Sequence, residues 1–178
     1  MPAVNPAGQA GHAARYARCG FGEESMERSA TRPGEIEGGL PDRVDATLAF
    51  IGRIRTPFAT RADCPRRGAL DGPVCRIEID APWRPALRGL EEQARIEVLY
   101  WMRQARRDLL VQAPSIRTVP LGTFALRSPN RPNPIASSVV AVVAIEVDAV
   151  LVRGLDCVDG TPLIDLKPAR RDAGPEVG

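Results

Sequence analysis

Three prolines, Pro129, Pro132 and Pro134, fall within six residues of the stretch RSPNRPNPIASS, Arg127 to Ser138. A proline fixes its own φ and drives the residue before it toward extended backbone. Ser128, Arg131 and Asn133 are therefore kept out of a helix. The segment is stiff before anything binds, so little ordering entropy is lost if something does. Prolines also lack an amide donor. The donors left here are mostly side chains, those of Arg127, Ser128, Asn130, Arg131 and Asn133. A stiff crossover with solvated arginines and one wall of a binding site fit these residues equally well.

Short extended segments broken by turn residues fill the chain from Thr47 onward. TLAFIGRIR alternates and reads as a strand, followed by the loop TPFATRADCPRRGALDGP. VCRIEID is a second strand, with Cys75, Ile77 and Ile79 on one face and Val74, Arg76, Glu78 and Asp80 on the other. APWRPALRGLEEQA is a turn and connector, RIEVLYWMRQ a third apolar segment, and ARRDLLVQAPS a helical turn or a short strand. LGTFALRS reads as a strand leading into the prolines. SVVAVVAIEV and AVLVRGL form an antiparallel pair turning near Asp148, and PLIDLKPA is a last short strand. The pattern predicts a mainly β fold, a compact antiparallel sheet or barrel with few short helices. Residues 1–44 are rich in Gly, Pro, Ala and charge without periodicity. They predict a flexible extension or a misplaced start, with Met26 as the alternative start. The domain is expected over 45–170, with a loose tail over 171–178.

Composition narrows the chemistry. No apolar run approaches the roughly 18 residues of a membrane span. The N-terminus has no apolar stretch of the secretory kind, so a soluble, cytoplasmic protein is expected. Cys19, Cys64, Cys75 and Cys157 lie too far apart for a zinc ribbon or redox pair, and reduced thiols follow. His12 is the only histidine, which argues against histidine-based metal sites and Ser–His or Cys–His nucleophiles. No metal is expected. No G-x-G-x-x-G follows a strand, so a Rossmann site is not supported. Net charge is only +2, but Lys167 is the sole lysine. Arginine suits phosphates and carboxylates because its planar fork binds in two places. A GC-rich coding bias accounts for the same usage.

Three further segments stand out. LDCVDGTPLIDLKP holds the turn Asp159-Gly160-Thr161-Pro162 and three carboxylates, Asp156, Asp159 and Asp165. An ordinary hairpin turn explains Asp-Gly equally simply. CPRRGALDGP sets Arg66 and Arg67 beside Gly and Pro, where they could cap an anion or be solvated. VLYWMRQ offers Tyr100, Trp101 and Met102, core residues or a purine-stacking surface.

Taken together, in order from about Ala49 to Pro168, these stretches resemble the TsaA-like family of S-adenosylmethionine-dependent tRNA methyltransferases. IGRIRTPF resembles the family's opening strand, LRGLEE its Arg-Gly-Leu-Glu connector, ALRSPNRPNPIASSVV its most diagnostic motif, and GLDCVDGTPLIDLKP its second. The resemblance implies a small β-barrel of the TsaA-like type that binds S-adenosylmethionine, works as a homodimer, and methylates N6 of N6-threonylcarbamoyladenosine beside the tRNA anticodon. By motif position it implies cofactor contacts at Gly68, Ala69 and Leu70, at Arg103 and Gln104, at Arg127, and at Asp159, Gly160, Thr161 and Pro162. The chain departs from the pattern with Gly-Ala-Leu in the first loop, Arg103-Gln104 in place of His-Gln, and Ala136 closing the proline motif.

Methyl transfer from a sulfonium is an in-line displacement that needs positioning more than acid catalysis. Arg127 is expected to take a cofactor anion, most simply its carboxylate. Asp159 or Asp165 is the candidate for removing the acceptor's proton. Arg66, Arg67, Arg106, Arg107 and Arg131 are candidates for RNA phosphates. Two other readings stay open: the same fold methylating another RNA or a small molecule, and a non-catalytic module that binds the cofactor or a nucleotide.

Overall fold

Alternation along the strands decides which residues make the core. In the computed structural model, which describes residues 30–39 and 45–170, Cys75, Ile77 and Ile79 of β3 (Val74–Ile79) are buried, as their pattern predicts. The same in-and-out rhythm runs through β2 (Gly52–Arg55) and β4 (Arg95–Trp101). With β7 (Ile135–Ile145), β8 (Ala149–Arg153) and β9 (Thr161–Pro168) they close an antiparallel barrel in the order β2-β3-β8-β7-β4-β9. Strand β9 pairs with β4 on one side and β2 on the other, which closes the ring.

The interior is aliphatic. Ile54, Ile77, Ile96, Val98, Val140, Val150, Val152 and Leu163 have no exposed surface. Each such burial stabilises by about 1.5–3 kcal/mol relative to exposure. Leu87, at the end of a 3₁₀ turn over Ala81–Leu87, joins this cluster. Register shifts between Leu99 and Tyr100 and between Val142 and Ala144 mark bulges, which bend strands into a ring this small.

Beside the barrel lies a small sheet of β1 (Ile36–Glu37), β5 (Leu109–Gln112) and β6 (Leu121–Gly122), with β5 in the middle. Here the sequence expectations need correction. Residues 30–39 fall inside the stretch expected to be a flexible extension, yet Ile36 pairs with Val111 and Glu37 with Leu109. The remainder of 1–44, and 171–178, lie outside the described residues. LGTFALRS is extended only at Leu121–Gly122 and then curls into a 3₁₀ turn over Thr123–Ala125. The Thr123 hydroxyl is drawn inward, donating to the Leu109 carbonyl at 2.6 Å and accepting from Gln112 Nε2 at 2.9 Å. TLAFIGRIR is a strand only in its second half. ARRDLLVQAPS resolves to the short strand β5, and the expected β7–β8 pair forms with its turn at 146–148.

Because the barrel interior is close-packed, Ile77→Ala should cost about 2–5 kcal/mol. Val147→Ala, at a position 88% exposed, should stay within about 0.5 kcal/mol. Thermal and urea unfolding of the two variants check this.

Candidate functional site

The strand ends at one mouth of the barrel border a cleft of about 1150 Å³. Four chain segments wall it: the β2–β3 loop with Arg61, Cys64, Arg66, Arg67 and Gly68, the turn after β4 with Met102–Ala105, the proline segment Arg127–Arg131, and the β8–β9 loop with Gly154 and Asp156–Asp159. The start of β7, Ile135–Val139, completes it.

The cleft is built around Asp156. Its Oδ1 accepts the Tyr100 hydroxyl at 3.0 Å and its Oδ2 accepts the Gly68 N–H at 3.1 Å. Tyr100 also bonds Ser138 Oγ at 2.9 Å. One carboxylate thus ties the β2–β3 loop and β4 to the β8–β9 loop. The fit is close enough to require glycine at 68. A Cβ there would lie 1.8 Å from the Gly154 carbonyl oxygen. Burial, above all, pushes the Tyr100 phenol well above its usual range and the Cys157 thiol up to about 12. Burial, then the Asp156 charge, raises the Cys64 thiol. All three stay neutral at physiological pH.

The Asp159–Pro162 turn is saturated with internal bonds on its donor side. The N–H groups of Asp159, Gly160 and Thr161 donate to the carbonyls of Phe58, Ile54 and Val158. Gly160 supplies the positive φ, +73°, that the turn needs. Asp159 Oδ1 accepts the Thr56 N–H at 3.0 Å, and Oδ2 lies 3.5 Å from Arg55. What this turn has left to offer a ligand is oxygen.

The arginines differ. Arg61, Arg66, Arg67 and Arg127 line the cleft and make no hydrogen bond or ion pair among the described residues. Positive charge faces the cleft unspent.

A family model described as the tRNA-methyltransferase O N-terminal domain matches residues 53–173. The chain belongs to this family. A probable S-adenosyl-L-methionine-binding protein, VirR of Rhizobium radiobacter, is 46% identical over 145 residues, 82% of this chain and 83% of VirR. An alignment of that length must begin no later than residue 34. An S-adenosyl-L-methionine-binding protein of Archaeoglobus fulgidus is 42% identical over 67% of this chain and 86% of its own length. The crystal structure of TrmO from Pseudomonas aeruginosa matches with TM-score 0.60 at 30% identity, covering 76% of this chain and 62% of that one. The chain therefore spans less than two thirds of that solved TrmO.

Within this TrmO-type domain, the residues singled out from sequence fall into two groups. Gly68, Arg103, Gln104, Arg127, Asp159 and Thr161 line the cleft, as do Arg66, Arg67 and Arg131. Ala69 and Leu70 continue the β2–β3 loop away from it, exposed, and Gly160 and Pro162 sit behind its lining. Asp165 is on β9, bonded to Lys167 and to the Leu166 N–H, and does not line the cleft. Arg106 also lies off the lining, bonded to Glu37 and Asp108. Arg107 donates to the Pro132 carbonyl at 2.7 Å and stacks 5.5 Å from the Trp101 ring. Arg131 turns back on its own loop, donating to the carbonyls of Ser128, Thr123 and Leu126.

Sequence reasoning gave no role to Tyr100 as a donor, to Ser138, or to Arg61 and Cys64. In the sequence Asp156 stands out only as one of three carboxylates. Its spacing, two residues after Gly154 and three before Asp159, was the available signal.

Asp156→Ala would strip the Gly68 N–H of its acceptor. It should cost about 1–3 kcal/mol and expose the β2–β3 loop to trypsin at Arg66 and Arg67. Limited proteolysis under native conditions reads this; cleavage no faster than wild type would show that Asp156 does not hold the loop.

Proposed function

We propose that this chain transfers a methyl group from S-adenosyl-L-methionine to tRNA, at N6 of N6-threonylcarbamoyladenosine beside the anticodon. The observation that carries the reading is the cleft itself. Four unpartnered guanidiniums surround a floor rich in oxygen acceptors, in a chain of the TrmO N-terminal domain family.

The residues fit the cofactor's chemistry. S-adenosyl-L-methionine presents a carboxylate, an ammonium and an adenine amine. Arg127, on the cleft lining, takes the carboxylate in a two-pronged contact under this reading. The Asp159–Thr161 turn, its N–H groups already bonded internally, offers oxygens to amine donors. A volume of about 1150 Å³ exceeds that of most small-ligand pockets, roughly 300–1,000 Å³, and leaves room for an acceptor base beside the cofactor.

The bound cofactor supplies an electrophilic methyl carbon on a sulfonium, and the displacement forms an N–C bond as the C–S pair returns to sulfur. The chain's own contribution is placement. Rigid walls hold both reactants in line, which can supply most of the rate. The acceptor nitrogen must also lose a proton. Asp159 is the carboxylate on the cleft suited to receive it, through whichever oxygen lone pairs Thr56 and Arg55 leave open. Arg61, Arg66 and Arg67 face the phosphates of the substrate.

The reading extends to a homodimer. Ile135 and Val139 line the cleft yet are 39% and 50% exposed, and Val143 continues the same strand at 49%. A second copy laid along β7 would cover them.

Calorimetry with S-adenosyl-L-methionine should give saturable binding, and Arg127→Ala should weaken it by about tenfold to a hundredfold. An absence of heat and of thermal shift at millimolar ligand would remove the cofactor. In a deletion strain, nucleoside mass spectrometry should show the methylated nucleoside lost and the unmethylated form raised. An unchanged level removes this acceptor. Light scattering should give twice the chain mass; a monomer that still binds the cofactor overturns the dimer.

A further inference from the structure

We infer that residues 30–39 form a strap that positions the proline wall of the cleft, with Glu37 and Arg106 as its positioning residues. The segment precedes the region matched by the family model, and nothing in that match assigns it a role. Its residues 34–39 do lie within the stretch aligned with VirR.

The strap is shaped by bonds within itself and docked by exposed and part-buried polar contacts to residues 106–113. The Glu35 side chain is only 2% exposed. It accepts the Arg32 main-chain N–H at 3.0 Å, the Arg32 guanidinium at 2.9 Å and, more weakly, the Ala113 N–H at 3.4 Å. The Arg32 amide bond, more than any other contact, holds the Glu35 carboxyl below the usual carboxylate range, so it is charged at neutral pH. The Gly38 N–H donates to the Asp108 carbonyl at 2.5 Å. Glu37 takes the guanidinium of Arg106, a side chain only 12% exposed. Arg106 also grips Asp108 with two bonds of 3.0 Å and donates to Thr31 Oγ1 at 3.1 Å.

The opposite side of the same residues holds the cleft. The main-chain N–H of Arg106 donates to Asn130 Oδ1 at 3.1 Å. Gln112, on the strand that pairs with β1 and β6, donates to the Asn130 carbonyl at 2.8 Å. Asn130 lines the cleft between Pro129 and Arg131. Residues 106–112 thus bond the strap along one edge of β5 and the proline segment through the Arg106 N–H and the Gln112 side chain. That segment is short of amide donors and depends on bonds from outside it. Release of the strap would take Glu37, Thr31 and the Gly38–Asp108 bond from this end of β5, leave Arg106 braced by Asp108, and slacken the main chain at 106–108 that holds Asn130. The geometry of Arg127, three residues before Asn130, would loosen with it.

The test uses the full chain with Glu35→Ala/Glu37→Ala, and Glu37→Ala alone as the milder variant. Hydrogen exchange is measured without ligand, so it does not depend on the proposed cofactor. Exchange should quicken at Asn130 and Arg131 as well as over 30–39, while β3 and β8 stay as protected as in wild type. Binding of S-adenosyl-L-methionine by calorimetry should then weaken by about threefold to tenfold with the barrel's unfolding temperature little changed. Quickened exchange confined to 30–39 and 106–112 would overturn the inference, as would wild-type affinity in the double variant. If the wild-type chain itself binds no S-adenosyl-L-methionine, the cofactor reading fails, and the exchange at Asn130 and Arg131 still decides for or against the strap.

Discussion

A segment with three prolines in six residues cannot be held by its own backbone. Proline removes the donors that a strand or helix would use. The proline wall is accordingly fastened by side chains and by donors from elsewhere: Arg131 onto three carbonyls around it, Gln112 onto Asn130, Arg107 onto Pro132, and the Arg106 amide onto Asn130. The Pro134 carbonyl in turn accepts the Met102 N–H, binding the wall to the turn after β4. Stiffness is local and comes from proline. Position is borrowed, and comes from the small sheet and β4. The cleft needs both.

The same division explains which arginines are free. A guanidinium with several carbonyls or carboxylates in reach is a structural brace, as at Arg131 and Arg106. One with none stays open toward the cleft, as at Arg127, Arg61, Arg66 and Arg67. Sequence treats these residues alike, because arginine looks the same in either use. Arg131 and Arg127 even share one motif four residues apart. Both line the cleft, and only the backbone path decides that Arg131 is spent on the carbonyls of its own loop while Arg127 is not.

Much of the barrel was legible because its strands alternate. The faces of β3, the β7–β8 pair and β9 follow from period-two burial, a short-range property. The small sheet was not, because its signals are weak and its pairing is distant. β1 has two residues and finds its partner some seventy positions away. Thr123 reads as a strand residue by propensity, but its buried hydroxyl reaches Leu109 and curls the chain. The same limit governs the site. The resemblance placed Gly68, Arg103, Gln104, Arg127 and Asp159 at positions that do line one cleft. Asp165, six residues after Asp159, looks an equal candidate in sequence. The strand carries it along the barrel wall to Lys167 instead.

Asp156 shows why such a site suits a barrel. The walls come from four segments far apart in sequence, and each would move alone if joined only to its neighbours. The bonds from Asp156 to Gly68 and Tyr100 join two of those segments to strand β4 in a part-buried setting, where hydrogen bonds to a charge are stronger than at the surface. The interior beneath them is close-packed aliphatic sequence that does not yield. A displacement reaction gains most when its partners arrive already aligned. Closed strands below, one shared carboxylate across the floor, and a proline wall braced from behind meet that requirement without a histidine among the cleft's lining residues.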